Sequence, residues 1–193
     1  GDIGLAEGLA EQLEQGREIL VGLDQPEHAR AAIAVERLQD DVAKLAAETA
    51  DGGPALLVGT PWREDGKLYN AAVLLNQGRV AAARYKCDLP NYGVFDEKRV
   101  FAPSPPQGPV NFRNVRLGVM VCEDMWYSTV TECLAETGAE ILMLGNGSPY
   151  EHEKHDGRIQ LAVQRVKESS LPIIYVNQVG GQDELVFDGA SFV

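Results

Sequence analysis

Cysteine is scarce in this chain: Cys87, Cys122 and Cys133 are the three among 193 residues, an odd number with no CxxC spacing. That pattern argues against a disulfide framework and against a zinc cluster, and it predicts a reduced, intracellular protein. Long apolar runs are missing as well. No stretch approaches the roughly 20 residues a spanning helix needs, and no basic segment leading into an apolar one opens the sequence, so the expected address is cytoplasmic, with no membrane partner. Basic charge is thin and scattered, 17 Lys and Arg against 29 Asp and Glu, for a net charge of -12. With no Lys/Arg-rich block, such a surface repels a phosphate backbone, which removes nucleic acid from the expected partners. No glycine-rich phosphate loop follows a strand, so a flavodoxin-like nucleotide binder is a weak rival.

What is present fits one domain with an ordinary core, at 45% hydrophobic residues. Ile3, Leu5, Leu9 and Leu13 recur at helical spacing, and Ile19 to Leu23 suits a short strand. Pro26 suits the first turn of a helix whose apolar stripe runs through Val35, Leu38, Val42 and Ala46, ending at Asp51-Gly52-Gly53-Pro54. Strands are expected over Ala55 to Thr60, Leu68 to Leu75 and Arg79 to Tyr85, the last two forming a hairpin at Asn76-Gln77-Gly78. Residues 87 to 109 carry five prolines and little periodicity, a loop long enough to be functional. Beyond it, strands at Val115 to Val121, Glu140 to Leu144, Pro172 to Gln178 and Glu184 to Phe187 alternate with helices at Met125 to Gly138 and His155 to Ser169. Hairpins in the first half and alternation in the second predict an α/β fold with layers about a mixed sheet.

The chemistry gathers at Val115 to Trp126, where an apolar strand breaks into Cys122-Glu123-Asp124. A thiol between a strand and the N-terminus of the helix predicted from Met125 would be drawn toward thiolate, which suits a nucleophile. A lone strand-end cysteine is more often a buried apolar residue, so the neighbours decide.

Four segments decide it: Tyr85 to Arg99 with its Lys-Cys-Asp-Leu-Pro-Asn-Tyr, Gly118 to Trp126, Asn146-Gly147-Ser148-Pro149 and Tyr175 to Gly189. Together they resemble the glutaminase domain of glutamine-dependent NAD synthetases, within the nitrilase or carbon-nitrogen hydrolase superfamily. The resemblance implies an αββα sandwich that often pairs sheets between subunits, hence a homo-oligomer, and a Glu-Lys-Cys triad. Cys122 then corresponds to the nucleophile and Lys86 to the triad lysine, with the backbone N–H of Glu123 as a second oxyanion donor. Tyr92, Phe95 and Glu97 correspond to the substrate pocket, Glu97 either taking the glutamine α-amino group or holding Lys86. Ser148 and Lys154 correspond to polar substrate contacts, Lys154 toward the α-carboxylate with Arg158 behind it. The implied reaction is hydrolysis of the glutamine amide, with no metal and no organic cofactor. ATP and deamido-NAD belong to a synthetase domain, the expected partner, which this chain does not carry.

The family's Phe-Pro-Glu-Leu motif with the general base is not intact here. Gln25-Pro26-Glu27-His28 is the nearest match, and it aligns equally well with a Pro-Pro-Glu-Asp stretch further along, so Glu27 is the base or the base is absent. Gly1-Asp2-Ile3 resembles the turn after the family's first strand, and the last strands are also missing. The expectation is therefore one partial carbon-nitrogen hydrolase domain over residues 1–193, a nitrilase-like sandwich truncated at the N-terminal strand and at the C-terminus. Two other functions stay open: a general aliphatic amidase, and a catalytically inert scaffold or oligomerisation domain.

Overall fold

The computed structural model describes the chain from residue 25, and its side chains from residue 35. The helix and strand expected over Ile3 to Leu23 lie outside the described residues. Helix α1 (Gln25–Ala47) begins with Pro26 in its first turn, where a missing N–H costs nothing. Val35, Leu38, Val42 and Ala46 form its buried stripe. Thr49 Oγ1 donates to the Ala46 carbonyl at 2.7 Å, satisfying one of the helix's last acceptors.

Strands β1 (Leu56–Glu64), β2 (Lys67–Asn76) and β3 (Arg79–Tyr85) form an antiparallel sheet in that order. Strand β1 runs four residues past the expected Thr60 because Asp65 and Gly66, at φ 48° and 74°, make a tight hairpin turn of the primed type. Gln77 and Gly78, at φ 53° and 77°, make the second. The other sheet runs β4 (Val110–Phe112), β5 (Val115–Val121), β6 (Ile141–Asn146), β7 (Ile173–Asn177). Its β5, β6 and β7 are parallel, crossed over by α2 (Ser128–Glu136) and α3 (Lys154–Ser169). A final hairpin pairs β8 (Val179–Gln182) with β9 (Leu185–Asp188).

Side-chain parity stacks these elements into four layers. Val73 and Leu75 of β2 pack beneath Val42 and Ala46 of α1, while Ala72 and Leu74, pointing the opposite way, meet Leu117, Val119 and Val121 of β5. On the far face of the second sheet Met120, Leu142 and Leu144 pack under Val130 and Leu134 of α2 and Ala162 of α3. This is the αββα sandwich, and the seam between its sheets is where β3 and β5 both end.

The helix expected from Met125 to Gly138 is shorter than its periodicity implies. A 3₁₀ turn occupies Cys122–Met125, and α2 starts only at Ser128. The cause is local: Cys122 takes φ 47°, and the Asp124 carboxylate bonds back to the Val121 N–H at 3.0 Å, closing a tight turn that no α-helix continues. Cys122 therefore does not precede an α-helical N-terminus, and its environment has to be read from other groups.

Candidate active site

Lys86 follows the last residue of β3, and Cys122 follows the last residue of β5, so each sheet delivers one of the two to the seam. Both line a cavity of about 600 Å³ between the sheets. Its walls are mostly apolar, including Leu57, Ala72, Met143 and Ile174, with Asn70, Asn146, Asn177 and Gln178 supplying amides.

The Lys86 side chain is 1% exposed, and its Nζ lies 2.7 Å from Glu97 Oε1. Asn70 Nδ2 donates to the other Glu97 oxygen at 3.3 Å. The loop that carries Glu97 is itself tied down. Lys86 N donates to Asn70 O, Ser104 N to Lys86 O, Ala102 N to Leu68 O and Tyr85 N to Gln107 Oε1, which pins both ends against β2 and β3. Phe95 and Glu97 line the cavity with Cys122, and Glu97 pairs with Lys86.

Burial pushes the Cys122 thiol above its ordinary value, the Lys86 ammonium pulls it back, and the nearby Gly147 N–H does the same. At rest the group is a thiol, and a base has to take its proton. The Lys86 ammonium and the Gly147 N–H oppose that rise without overcoming it, and the nearby Glu97 and Glu123 carboxylates add to it.

Glu123 is buried, and the Tyr92 hydroxyl donates to its carboxylate, lying 2.8 and 3.0 Å from the two oxygens. Tyr92 and Glu123 line a second cavity of about 580 Å³, which meets the first at Phe101. Ser148 is buried; its N–H donates to Asn177 Oδ1 at 2.9 Å, and its carbonyl accepts from Asn177 Nδ2 at 3.1 Å. Arg158 donates to Asp188 at 2.8 and 3.1 Å and to the carbonyls of Ser148 and Pro149 at 3.0 and 2.8 Å, so it secures the Asn146 to Pro149 turn under Cys122. Lys154, in the first turn of α3, pairs with Glu151 at 2.5 Å and does not line the cavity. Glu27 falls in the first turn of α1, and its side chain lies outside the described residues. Trp126 is 43% exposed and lines neither cavity.

Asp124 is the residue that sequence reasoning passed over. It is 2% exposed, and its carboxylate accepts the backbone N–H groups of Cys87 and Asp88, both at 2.9 Å, together with Val121 at 3.0 Å. Burial raises its carboxyl to about 6 against the opposing pull of those donors. Its only signal in the sequence is an acid two residues after a strand-end cysteine. Among the described residues no group of His, Cys, Asp and Glu is placed to hold a metal ion. Among them, too, no helix is long and apolar enough to cross a membrane.

An αββα sandwich with a thiol and a buried lysine–glutamate pair meeting between its sheets is the architecture of one hydrolase class, and residues 18–193 match the carbon-nitrogen hydrolase model. The chain belongs to the carbon-nitrogen hydrolase family. It is 49% identical over 152 residues to a glutamine-dependent NAD(+) synthetase of Rhodobacter capsulatus, covering 79% of this chain and 27% of that protein. Among solved structures it resembles the glutamine-dependent NAD+ synthetase from Acinetobacter baumannii in complex with ADP, with TM-score 0.76 and 31% identity over 97% of this chain and 38% of that one. It also resembles the amidase from Nesterenkonia sp. AN1, caught with acrylamide added at its active site cysteine, with TM-score 0.66 and 27% identity over 83% of this chain and 61% of that one. The chain therefore spans about a quarter of the length of the curated relatives it matches.

Proposed function

We propose that this domain hydrolyses the side-chain amide of glutamine through Cys122, releasing ammonia for a synthetase that amidates deamido-NAD with ATP. The observation that carries this reading is the placement of Cys122 and the Lys86–Glu97 pair on one cavity between the sheets. A carboxylate, for which the sequence offers Glu27, takes the Cys122 proton. The sulfur then attacks the amide carbon, and the oxyanion forms against the Lys86 ammonium and the Glu123 N–H. The same carboxylate returns the proton to the departing nitrogen, ammonia leaves, and a γ-glutamyl thioester remains. Water, deprotonated by that carboxylate, cleaves the thioester to glutamate and restores the thiol. Glutamine as substrate and an NAD synthetase domain as partner rest on the likeness to glutamine-dependent NAD synthetases.

One observation favours a second reading, a general aliphatic amidase. Among the described lining residues Lys86 is the one cation, and it is already paired with Glu97, which leaves no free positive group there for an α-carboxylate. Ammonia release from glutamine and from propionamide separates the two. A glutaminase that bonds the charged end of its substrate favours glutamine in kcat/KM by about a hundredfold or more. Equal rates, or a preference for propionamide, select the amidase; no release from either selects the inert scaffold.

A further inference from the structure

Lys86 and Cys122 stand on different sheets, joined across the seam chiefly by aliphatic contacts between Ala72, Leu74, Val119 and Val121. Such contacts favour burial without fixing how far one sheet slides along the other, because hydrophobic attraction has no direction. A reaction that depends on an ammonium beside a sulfur tolerates little sliding, since a misplacement near 1 Å can cost about a hundredfold in rate. Something directional has to set the relation.

Arg84 of β3 does so away from the site, donating to the Gly108 and Pro109 carbonyls ahead of β4, and Asp124 is the polar group that spans the seam where β3 and β5 end. Oδ1 receives the N–H groups of Cys87 and Asp88, the two residues after Lys86, while Oδ2 receives the N–H of Val121, the residue before Cys122. One carboxylate thereby ties the end of β3 to the end of β5 through three hydrogen bonds to a charged acceptor, each stronger than a neutral one. It is buried, so water does not compete for those donors. The Lys86 ammonium lies near enough to attract the Asp124 charge, and the carboxylate makes no salt bridge with it. Its bonds are all to main chain, which is what a spacer between two strand ends requires and what a proton carrier does not.

We infer that Asp124 is a positioning residue, which sets the distance between the Lys86 ammonium and the Cys122 thiol by clamping the two sheet ends to one carboxylate. The inference rests on Cys122 and Lys86 acting together as proposed above, but its test does not require turnover. In Asp124→Asn one donor N–H faces an amide NH₂ and the clamp opens on one side with the volume kept. Alkylation of Cys122 by iodoacetamide at pH 7, followed by peptide mass spectrometry, should slow about tenfold as the thiol loses the stabilising cation. Cys133, on α2, is the internal control. General loosening of the fold would speed its alkylation together with that of Cys122, whereas lost positioning slows Cys122 alone. With glutamine, kcat should fall about a hundredfold and KM should stay within about twofold.

Should Asp124→Asn fail to fold, the unmodified protein decides the matter by native-state hydrogen exchange. The amides of Cys87, Asp88 and Val121 share one acceptor residue and should show matching protection. Free exchange at Cys87 and Asp88 beside a protected Val121 overturns the inference, as does a variant whose Cys122 alkylates at the parental rate. A slowed alkylation in a protein that releases no ammonia from glutamine retains the clamp and removes the glutaminase reading.

Discussion

Lys86 Nζ lies 2.7 Å from Glu97 Oε1 beside the cavity that Cys122 also lines, so this buried lysine is held by a carboxylate from the loop that follows it. A buried ammonium is costly without such a partner, and removing one member of a buried pair typically costs about 3–5 kcal/mol. Glu97→Gln should lower the unfolding free energy by an amount of that order, read from urea denaturation. Lys86→Ala should reduce ammonia release by about a hundredfold or more, the scale of losing an oxyanion donor. A twofold loss with substrate binding intact would leave Lys86 as a structural cation only.

The three cysteines differ in their surroundings, and a glutamine-like diazoketone should distinguish them. Cys122 faces the cavity beside the Lys86 ammonium, whereas burial and the Asp124 charge hold the Cys87 thiol up at about 12. Peptide mapping after labelling should find the adduct on Cys122, with Cys87 and Cys133 largely unmodified. Equal labelling of all three in the folded protein contradicts the assignment of the nucleophile.

Glu27 is the base that the sequence offers, and the raised Cys122 thiol makes a base necessary. Glu27→Gln should abolish ammonia release while leaving the melting temperature nearly unchanged. Full activity in that variant would pass the role to another carboxylate.

Asp188 anchors Arg158, which in turn secures the Ser148-Pro149 turn. The Arg158 hydrogen bond holds the Asp188 carboxyl below its ordinary value. A depressed carboxyl contributes stability that is present above the unfolded value and lost as pH falls through the folded one. The difference in melting temperature between the parent and Asp188→Asn should therefore be constant from pH 7 to 5 and shrink below about pH 4. A difference that grows in acid would contradict the pairing.

Much of this molecule is determined by its sequence alone, and the reason is periodicity. The stripe Val35, Leu38, Val42 and Ala46 can be buried only as a helix, and the alternation through β2 and β5 can face two layers only as strands. Cys122 and Lys86 were legible as candidates because each lies in a long specific motif, 36 residues apart in the chain. The Asp65-Gly66 turn was equally available and was passed over, although Asp-Gly between two strand-like runs is a strong hairpin signal.

The tertiary structure decided the rest, because the deciding contacts join residues distant in sequence. Periodicity cannot show that α2 begins after a 3₁₀ turn, since that turn follows from a carboxylate bonding backward and across the seam at once. Of the two roles left open for Glu97, the fold supplies the partner for one, a 2.7 Å contact with Lys86. Lys154 and Arg158, one helical turn apart on α3, took different surroundings, the first paired with Glu151 and the second buried against Asp188. Spacing along a helix fixes which side chains share a face, but the partner that waits there belongs to another part of the chain.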